Sequence, residues 1–143
     1  MSEETVALFQ VDVPDWSDRA AAVNHMLHLA RVSASRSRPF DEAAFRDLAG
    51  RVFDRTTNFA STMTNHHVMK DDDGSTPRVE ELSAPTLVIH GTDDPVLPYD
   101  HGLALAGEIP GARLLTLERT GHELPRAVWD VVVPAILEHT SAG

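Results

Sequence analysis

The sequence has 143 residues, of which 42% are hydrophobic and 24% are charged, a composition typical of one soluble globular domain and not of a disordered chain. Twelve basic residues against 22 acidic residues give a formal net charge of -10, which disfavours binding to nucleic acid or to anionic lipid. The lack of cysteine excludes disulfides and thiolate metal sites, and with no signal-peptide pattern and no apolar run of about 20 residues we expect a cytoplasmic protein without a membrane span.

The first predicted helix lies in the residues that follow Asp15. Apolar side chains recur there at helical spacing and form one stripe, comprising Val23, Met26, Leu27 and Ala30. Asp15 or Ser17 is expected to cap the helix, because a short polar side chain can accept from the free N–H groups of the first turn. The Arg- and Ser-rich segment 31–38 is expected to end it.

A second helix is expected to begin after Asp41 as its N-cap. Phe40 precedes this cap and Phe45 is the fourth helical residue, the spacing at which two apolar side chains pack across a helix start. Gly50 lowers the local helix propensity by about 1 kcal/mol relative to alanine without erasing the pattern. Further helix is expected over residues 58–69. The apolar stripe of the second helix continues through Leu48, Ala49, Val52, Phe53 and Thr56.

Two other segments have less regular patterns. Residues 5–13 are rich in strand formers and are expected to form a strand, with a helix start as the close alternative. Residues 70–78 are charged, contain Gly and Pro, and are interpreted as an exposed loop. The three adjacent acids at 71–73 lack the alternating oxygen spacing of an EF-hand, so a solvated loop is favoured over a calcium site.

The second half of the chain alternates strand and helix. Residues 85–90, PTLVIH, form a β-branched run that Gly91 is expected to halt, and residues 113–118 form the next strand. Asp100 is expected to cap a helix over residues 101–109. Strands that alternate with helices indicate parallel pairing through right-handed crossovers. The predicted fold class is therefore α/β.

The last helix is expected over residues 125–139, bent at Pro134. Its inward positions are Val128, Val132, Ala135, Ile136 and His139. Two parallel strands alone are marginal and leave unpaired edges. The N-terminal strand could cover one edge, and self-association is the other solution, so we expect a homo-oligomer.

Asp94 and His122 are the residues best placed for chemistry. Asp94 follows the first strand, at the end of a parallel sheet where α/β proteins build their sites. His122 follows the second strand, and Gly121 loosens the loop that presents it. A carboxylate behind an imidazole fixes its tautomer and stabilises its protonated form, which a general base requires.

At these residues the sequence resembles the carboxyl-terminal part of the α/β-hydrolase fold, particularly its esterase-like members with a helical cap. Residues 85–95 are similar to the family strand PTLVIHG-x-x-DP that carries the catalytic acid, and residues 107–125 resemble the stretch that leads to its Gly-His. The resemblance implies that Asp94 is the catalytic acid and His122 the catalytic base. It also implies that residues 15–69 form the cap over the active-site entrance.

The sequence departs from this family at the nucleophile. Family members carry a serine on a G-x-S-x-G turn between strand and helix, and no G-x-S-x-G occurs in these 143 residues. We therefore expect a partial α/β-hydrolase fold that begins in the cap. Residues 1–78 would be its cap-like helical segment, with a possible N-terminal strand, and residues 79–143 the carboxyl-terminal βαβα part of a mainly parallel, few-stranded sheet.

Two functions are compatible with an acid and a base that lack a nucleophile. The first is a hydrolase component for a small apolar carboxylic ester, with the nucleophile supplied by a second polypeptide or by an unrecognised group recruited through self-association. The second is a non-catalytic oligomeric remnant or binding module. A positioned base supplies about 10² to 10⁴ in rate, whereas enzymes typically reach 10⁶ or more, so the isolated chain is expected to be inactive or very weak. No cofactor is expected.

The remaining candidates are assigned structural roles. Asp93, next to the candidate acid, is expected to be solvated. His25 and His28 can share a helix face, but no nearby carboxylate completes a metal site. His66 and His67 diverge on a helix, so no metal is expected. The aromatic residues are interpreted as packing of the helical half, a set that comprises Trp16, Phe45, Phe53 and Phe59.

Overall fold

The computed structural model describes residues 10–65 and 78–141. Its helices and strands are, in chain order, α1 (Arg19–Ser33), α2 (Glu42–Arg55), α3 (Phe59–Thr64), β1 (Leu87–Gly91), α4 (Tyr99–Glu108), β2 (Arg113–Leu117) and α5 (Trp129–Ser141). Short 3₁₀ turns cover Val79–Glu81 and Arg126–Val128. None of these helices has the length and apolar character that crossing a bilayer requires.

Helix α1 begins after Asp18, so the prediction that Asp15 or Ser17 caps it is wrong. The Asp18 carboxylate accepts from the backbone N–H groups of Ala20 and Ala21, at 2.8 and 3.2 Å. Asp15 instead accepts from the backbone N–H and the hydroxyl of Ser17, at 2.9 and 2.7 Å. These bonds close a turn before the helix, which moves the helix start to the next acidic residue.

Helix α2 begins at its predicted cap. The Asp41 carboxylate accepts a first-turn backbone N–H at 3.0 Å, and the rings of Phe40 and Phe45 lie 5.9 Å apart across the helix start. Both predictions are confirmed. An ion pair between Arg19 and Asp54, with hydrogen bonds of 2.7 and 2.9 Å, links α1 to α2.

Helices α1 and α2 pack against each other through small and aliphatic residues. Val23 and Leu27 of α1 are buried, as are Ala49 and Gly50 of α2. Leu48, which was expected on the buried stripe, is 44% exposed. Because Ala49 and Gly50 have little or no side chain, this face of α2 can approach α1 closely, and Leu48 is rotated towards solvent.

Helix α3 agrees with the helix expected over residues 58–69, for the part that the structure describes. Asn58 caps it by accepting from the backbone N–H of Ser61 at 3.1 Å. Several other predictions concern residues that the structure does not describe, or describes only in part. Residues 10–13 form no strand, and the rest of the expected N-terminal strand lies outside the described part. Also outside it are residues 5–9, His66, His67, Asp71, Asp72, Asp73 and the expected loop at 70–77.

Strands β1 and β2 pair in parallel, which confirms the predicted α/β class. The register runs from Leu87 opposite Arg113 to Gly91 opposite Leu117. Gly91 was expected to halt the strand, but it is the last paired residue. A Cβ at this position would collide with the carbonyl oxygen of Thr120, so the glycine lets the following loop approach the strand end.

Helix α4 begins at Tyr99, so the prediction that Asp100 caps it is wrong. Pro98 occupies the cap position, where its missing N–H removes no helical hydrogen bond. Asp100 lies in the first turn, where its carboxylate still interacts favourably with the positive end of the helix dipole. The Tyr99 hydroxyl forms a 2.6 Å hydrogen bond with the Thr116 hydroxyl of β2, which fastens α4 to the sheet.

Helix α5 covers one face of the sheet after the 3₁₀ turn, so the helix expected over residues 125–139 is two elements. A core cluster joins the strands to this last segment, and its residues are Ile89, Leu115, Leu117, Val128 and Val132. Pro134 lies inside α5. Ile136, which was expected to face inward, is 40% exposed, because Val128 and Val132 already fill the contact with the sheet.

Candidate active site

The loop after β1 holds the Asp94 carboxylate in a fixed orientation. Its Oδ1 accepts from the backbone N–H groups of Val96 and Leu97, both at 2.8 Å. Such a turn suits aspartate, whose short side chain reaches back to N–H groups two and three residues further on. The Asp94 side chain is only 4% exposed, and Oδ2 remains available to a partner outside the loop.

The loop after β2 is tied to the first loop by backbone hydrogen bonds. The N–H of Asp93 donates to the carbonyl of Thr120 at 2.9 Å, and the N–H of Arg119 donates to the Thr92 hydroxyl at 2.9 Å. Arg119 adopts a left-handed conformation with φ of 54°, which turns the chain sharply after the strand. These contacts bring Gly121 and the next residue above the end of β1.

The structure places Asp94 and His122 in direct contact. The His122 Nδ1 lies 2.8 Å from Asp94 Oδ2, so the two residues that the sequence analysis paired meet. An ionised carboxylate can only accept, so the proton of this bond belongs to Nδ1, and in the neutral ring the lone pair is on Nε2. The ring is 49% exposed, which makes Nε2 accessible from solvent.

The chemistry available to this pair is that of a general base. The Asp94 carboxylate fixes the tautomer of His122 and can stabilise the imidazolium that forms when Nε2 takes a proton. Within residues 10–65 and 78–141, no serine or threonine hydroxyl forms a hydrogen bond with the His122 ring. No group of three or more His, Cys, Asp or Glu side chains in the same residues could hold a metal ion.

Asp93 is not simply solvated, which corrects the expectation from the sequence. Its Oδ2 accepts from the Ser35 hydroxyl at 2.8 Å. Hydrogen bonds from the Ser37 and Ser35 side chains hold the pKa of Asp93 below its ordinary value. The contact forms because the connection between α1 and α2, residues 34–41, passes over the two loops.

The connection between α1 and α2 also reaches the strand end of β2. The Arg38 guanidinium donates to the backbone carbonyls of Arg119 and Glu118, at 2.8 and 2.9 Å. The guanidinium of Arg119 in turn donates to the backbone carbonyl of Ser37. Sequence reasoning did not single out Ser35 or Arg38, because an Arg- and Ser-rich break between helices carries no periodic pattern. Gly121 has no side chain and lies against this connection. It is the sequence feature that could have indicated that the two segments approach each other closely.

The aromatic residues of the helical half pack on each other, as the sequence analysis interpreted them. The rings of Phe53 and Phe59 lie 5.1 Å apart, and those of Trp16 and Phe59 lie 5.9 Å apart. The edge of the Trp16 ring also meets His25, at 5.1 Å between centroids. Burial, with the nearby His28 charge, lowers the pKa of His25 from its ordinary value.

The sequence model of a known family matches much of this chain. The match is to the TAP-like protein family, Abhydrolase_4, over residues 56–136, which is more than half of the chain and contains both Asp94 and His122. The chain belongs to this family of α/β-hydrolases. The TAP-like match therefore agrees with the resemblance drawn from the two loops.

Curated relatives of this TAP-like chain are hydrolases. It is 32% identical to the rhodomycin D methylesterase DauP of Streptomyces sp. strain C5 over 105 residues, which cover 73% of the chain and 35% of the relative. It is 41% identical to the 2-hydroxy-6-oxononadienedioate/2-hydroxy-6-oxononatrienedioate hydrolase of Cupriavidus pinatubonensis over 69 residues, which cover 48% of the chain and 23% of the relative.

Solved structures show the same fold. An esterase from Exiguobacterium antarcticum aligns over 97% of the TAP-like chain and 48% of its own, with a TM-score of 0.62 and 16% identity. The meta-cleavage product hydrolase CumD of Pseudomonas fluorescens aligns over 92% of the chain and 52% of its own, with a TM-score of 0.56 and 18% identity. The chain thus spans about half of these structures and about a third of the methylesterase that it matches.

Proposed function

We propose that this chain contributes the acid and base of a serine-type hydrolase, with Asp94 as the orienting acid and His122 as the general base. The observation that carries the proposal is the 2.8 Å contact between His122 Nδ1 and a carboxylate whose side chain is 4% exposed. Membership in the α/β-hydrolase family supports it, because the matched residues 56–136 include both side chains.

The proposed reaction begins with proton transfer to His122. Its Nε2 takes the proton of an attacking hydroxyl while the carboxylate of Asp94 stabilises the imidazolium, and the proton then passes to the leaving group. The hydroxyl attacks the carbonyl carbon of the substrate, and the bond from that carbon to the leaving group breaks as the leaving group takes the proton. Water then attacks the acyl group in the same way and releases the acid and the free hydroxyl. The expected nucleophile is a serine on a G-x-S-x-G turn, which these 143 residues do not contain, so the proposal requires a nucleophile from outside these residues.

The proposed substrate is a carboxylic ester or a related carbonyl compound. Support comes from the names of the relatives, which include a methylesterase and hydrolases of 2-hydroxy-6-oxo acids. These named activities are those of the relatives, and they are carried to this chain as a proposal. In this chain, Leu97 and Leu124 follow the two site residues and are 40% and 52% exposed, which offers apolar surface beside the loops.

The proposal is tested by adding a nucleophile-directed probe to the purified chain. We expect no covalent labelling by a fluorophosphonate, and no hydrolysis of a nitrophenyl ester beyond that of a His122→Ala variant. A general base without nucleophile or oxyanion donors forgoes most of the rate enhancement of an enzyme. Stoichiometric labelling of the wild-type chain would show that a nucleophile is present and would contradict the proposal.

A non-catalytic role as an oligomeric binding module is the second candidate. It is favoured by the exposed apolar residues of α5, where Val133, Ile136 and Leu137 are 47%, 40% and 60% exposed. The sheet of the described residues also has two strands with free edges. Such surfaces are commonly covered by another chain.

A further inference from the structure

We infer that Ser35 is a positioning residue for His122, a conclusion that rests on the proposed function of the Asp94 and His122 pair. Ser35 contacts neither the imidazole nor the Asp94 carboxylate. It acts through the residues that flank them, and it lies in the connection between α1 and α2.

Hydrogen bonds from Ser35 reach both loops of the site. Its hydroxyl donates to Asp93 Oδ2 at 2.8 Å, immediately before Asp94. Its backbone N–H donates to Glu123 Oε1 at 3.2 Å, immediately after His122. Ser35 therefore contacts both the residue next to the acid and the residue next to the base.

The hydroxyl of Ser35 is buried, and it both donates and accepts a hydrogen bond. Ser35 is 4% exposed, and its Oγ accepts from the backbone N–H of Ser37 at 3.0 Å in addition to donating to Asp93. At this burial, water cannot easily replace a lost partner, so the hydroxyl fixes both of its neighbours. An exposed serine in the same segment would exchange its protein partners for water with little effect.

The backbone on the other side of His122 is fixed by the same segment. The N–H of His122 donates to the carbonyl of Ser33 at 2.8 Å. A Cβ on Gly121 would collide with the backbone of Ser33, Ala34 and Ser35, so the loop lies directly against the connection. The ring itself has one hydrogen bond and is 49% exposed, so its orientation depends on this backbone.

The position of the connection between α1 and α2 is therefore coupled to the orientation of the His122 imidazole. When the connection between α1 and α2 is in place, the loop of His122 is held at the distance at which Nδ1 reaches Asp94. When the contacts of Ser35 are lost, the loop can move away and Nδ1 exchanges its proton with water. A movement of α1 and α2 would then release the base.

The test is proton exchange at the His122 ring in the full chain labelled with 15N-histidine. In Ser35→Ala we expect the Nδ1 proton to exchange with solvent at least about fivefold faster than in wild type, the factor that corresponds to losing one net hydrogen bond. The ratio of the two neutral tautomers should also shift towards Nε2–H.

The matched control is Ser17→Ala. It removes a serine-to-aspartate hydrogen bond of 2.7 Å on an exposed turn before α1, and it should leave the exchange rate at His122 unchanged. Arg38→Gln is the second test variant, because it weakens the same connection from a half-buried site and should fold even where the buried Ser35→Ala does not. It should accelerate exchange in the same direction.

Two results would overturn the inference. One is wild-type exchange and tautomer ratio at His122 in a folded Ser35→Ala protein. The other, where that variant is unfolded, is wild-type behaviour in Arg38→Gln. Absence of the Nδ1 proton bond to Asp94 in the wild-type chain would instead overturn the proposed function, so the two failures are distinguishable.

Discussion

Asp94 uses its two carboxylate oxygens for different purposes. One accepts two backbone N–H groups and folds the loop after β1, and the other holds the ring of His122. The sequence predicted the pairing of these residues because each follows a strand of a parallel sheet. It did not predict Ser35 or the bonded state of Asp93, since their contact joins residues distant in sequence across an irregular segment without a pattern.

Removal of the Asp94 carboxylate should destabilise the fold more than removal of its partner. Asp94→Ala leaves the N–H groups of Val96 and Leu97 without their acceptor, so we expect a loss of about 1 to 3 kcal/mol in the free energy of unfolding. His122→Ala should lower it by less than about 1 kcal/mol, because the ring is half exposed. Urea denaturation measures both values, and equal losses would contradict the dual role of Asp94.

Stability should fall as the pH decreases through the ordinary pKa of histidine, in part because of His25. Its pKa is lowered in the folded chain, so the unfolded chain binds the proton first. The neutral form is favoured in the fold, and its stabilising effect is complete at higher pH. It decreases as the pH falls from about 6.5 towards the folded-state pKa.

The contribution of His25 is isolated by comparing urea midpoints at about pH 7.5 and about pH 5.5 in wild type and His25→Gln. On going from the higher to the lower pH, the urea midpoint of His25→Gln should decrease less than that of the wild type. His101→Gln, an exposed histidine on α4, is the matched control and should keep the wild-type difference. An unchanged pH dependence in His25→Gln would show that burial of this ring does not matter.

The positions of the two site loops are set by the strands that precede them. Parallel pairing of β1 and β2 places both strand ends at one edge, and the sequence predicted this from β-branched runs that alternate with helices. Helix starts were harder to predict. Asp18 caps α1 in place of the two expected candidates, and a proline replaces the expected aspartate at α4, because cap choice depends on local backbone geometry and not on periodicity.

Gly91→Ala tests the close approach of the loops at the end of β1. The added Cβ would collide with the backbone carbonyls of Thr120 and Gly121, so we expect a loss of about 1 to 3 kcal/mol in unfolding free energy. Gly107→Ala is the matched control, because nothing lies near that position of α4. There alanine should stabilise the helix by roughly 0.5 to 1 kcal/mol. Similar effects of both changes would mean that the loops are not in contact.

The whole chain presents a two-stranded sheet and an apolar face on α5 within the residues that the structure describes. The sequence predicted the partial fold from the family resemblance, and the coverage of about half of the solved structures agrees with it. It could not predict what covers the free surfaces, because exposed leucines and valines on α5 follow the same helical spacing as buried ones. The assembly state therefore stays a prediction.

Self-association should be visible by light scattering of the purified chain. At micromolar concentration we expect at least twice the mass of the 143-residue chain. Leu137→Lys should shift the equilibrium towards the monomer, because it places a charge in the most exposed apolar position of α5. Val13→Lys, at an apolar residue that is 72% exposed outside this face, is the matched control and should not. A wild-type monomer would contradict the expected oligomer.

The acid–base pair itself is tested most directly by nitrogen chemical shifts of His122 in the chain labelled with 15N-histidine. In the wild type we expect the neutral ring to be a single tautomer with its proton on Nδ1, since the Asp94 carboxylate accepts it. In Asp94→Ala the ring should adopt the averaged shifts of a histidine in water. Averaged shifts already in the wild type, unchanged by the substitution, would show that Asp94 does not orient this imidazole.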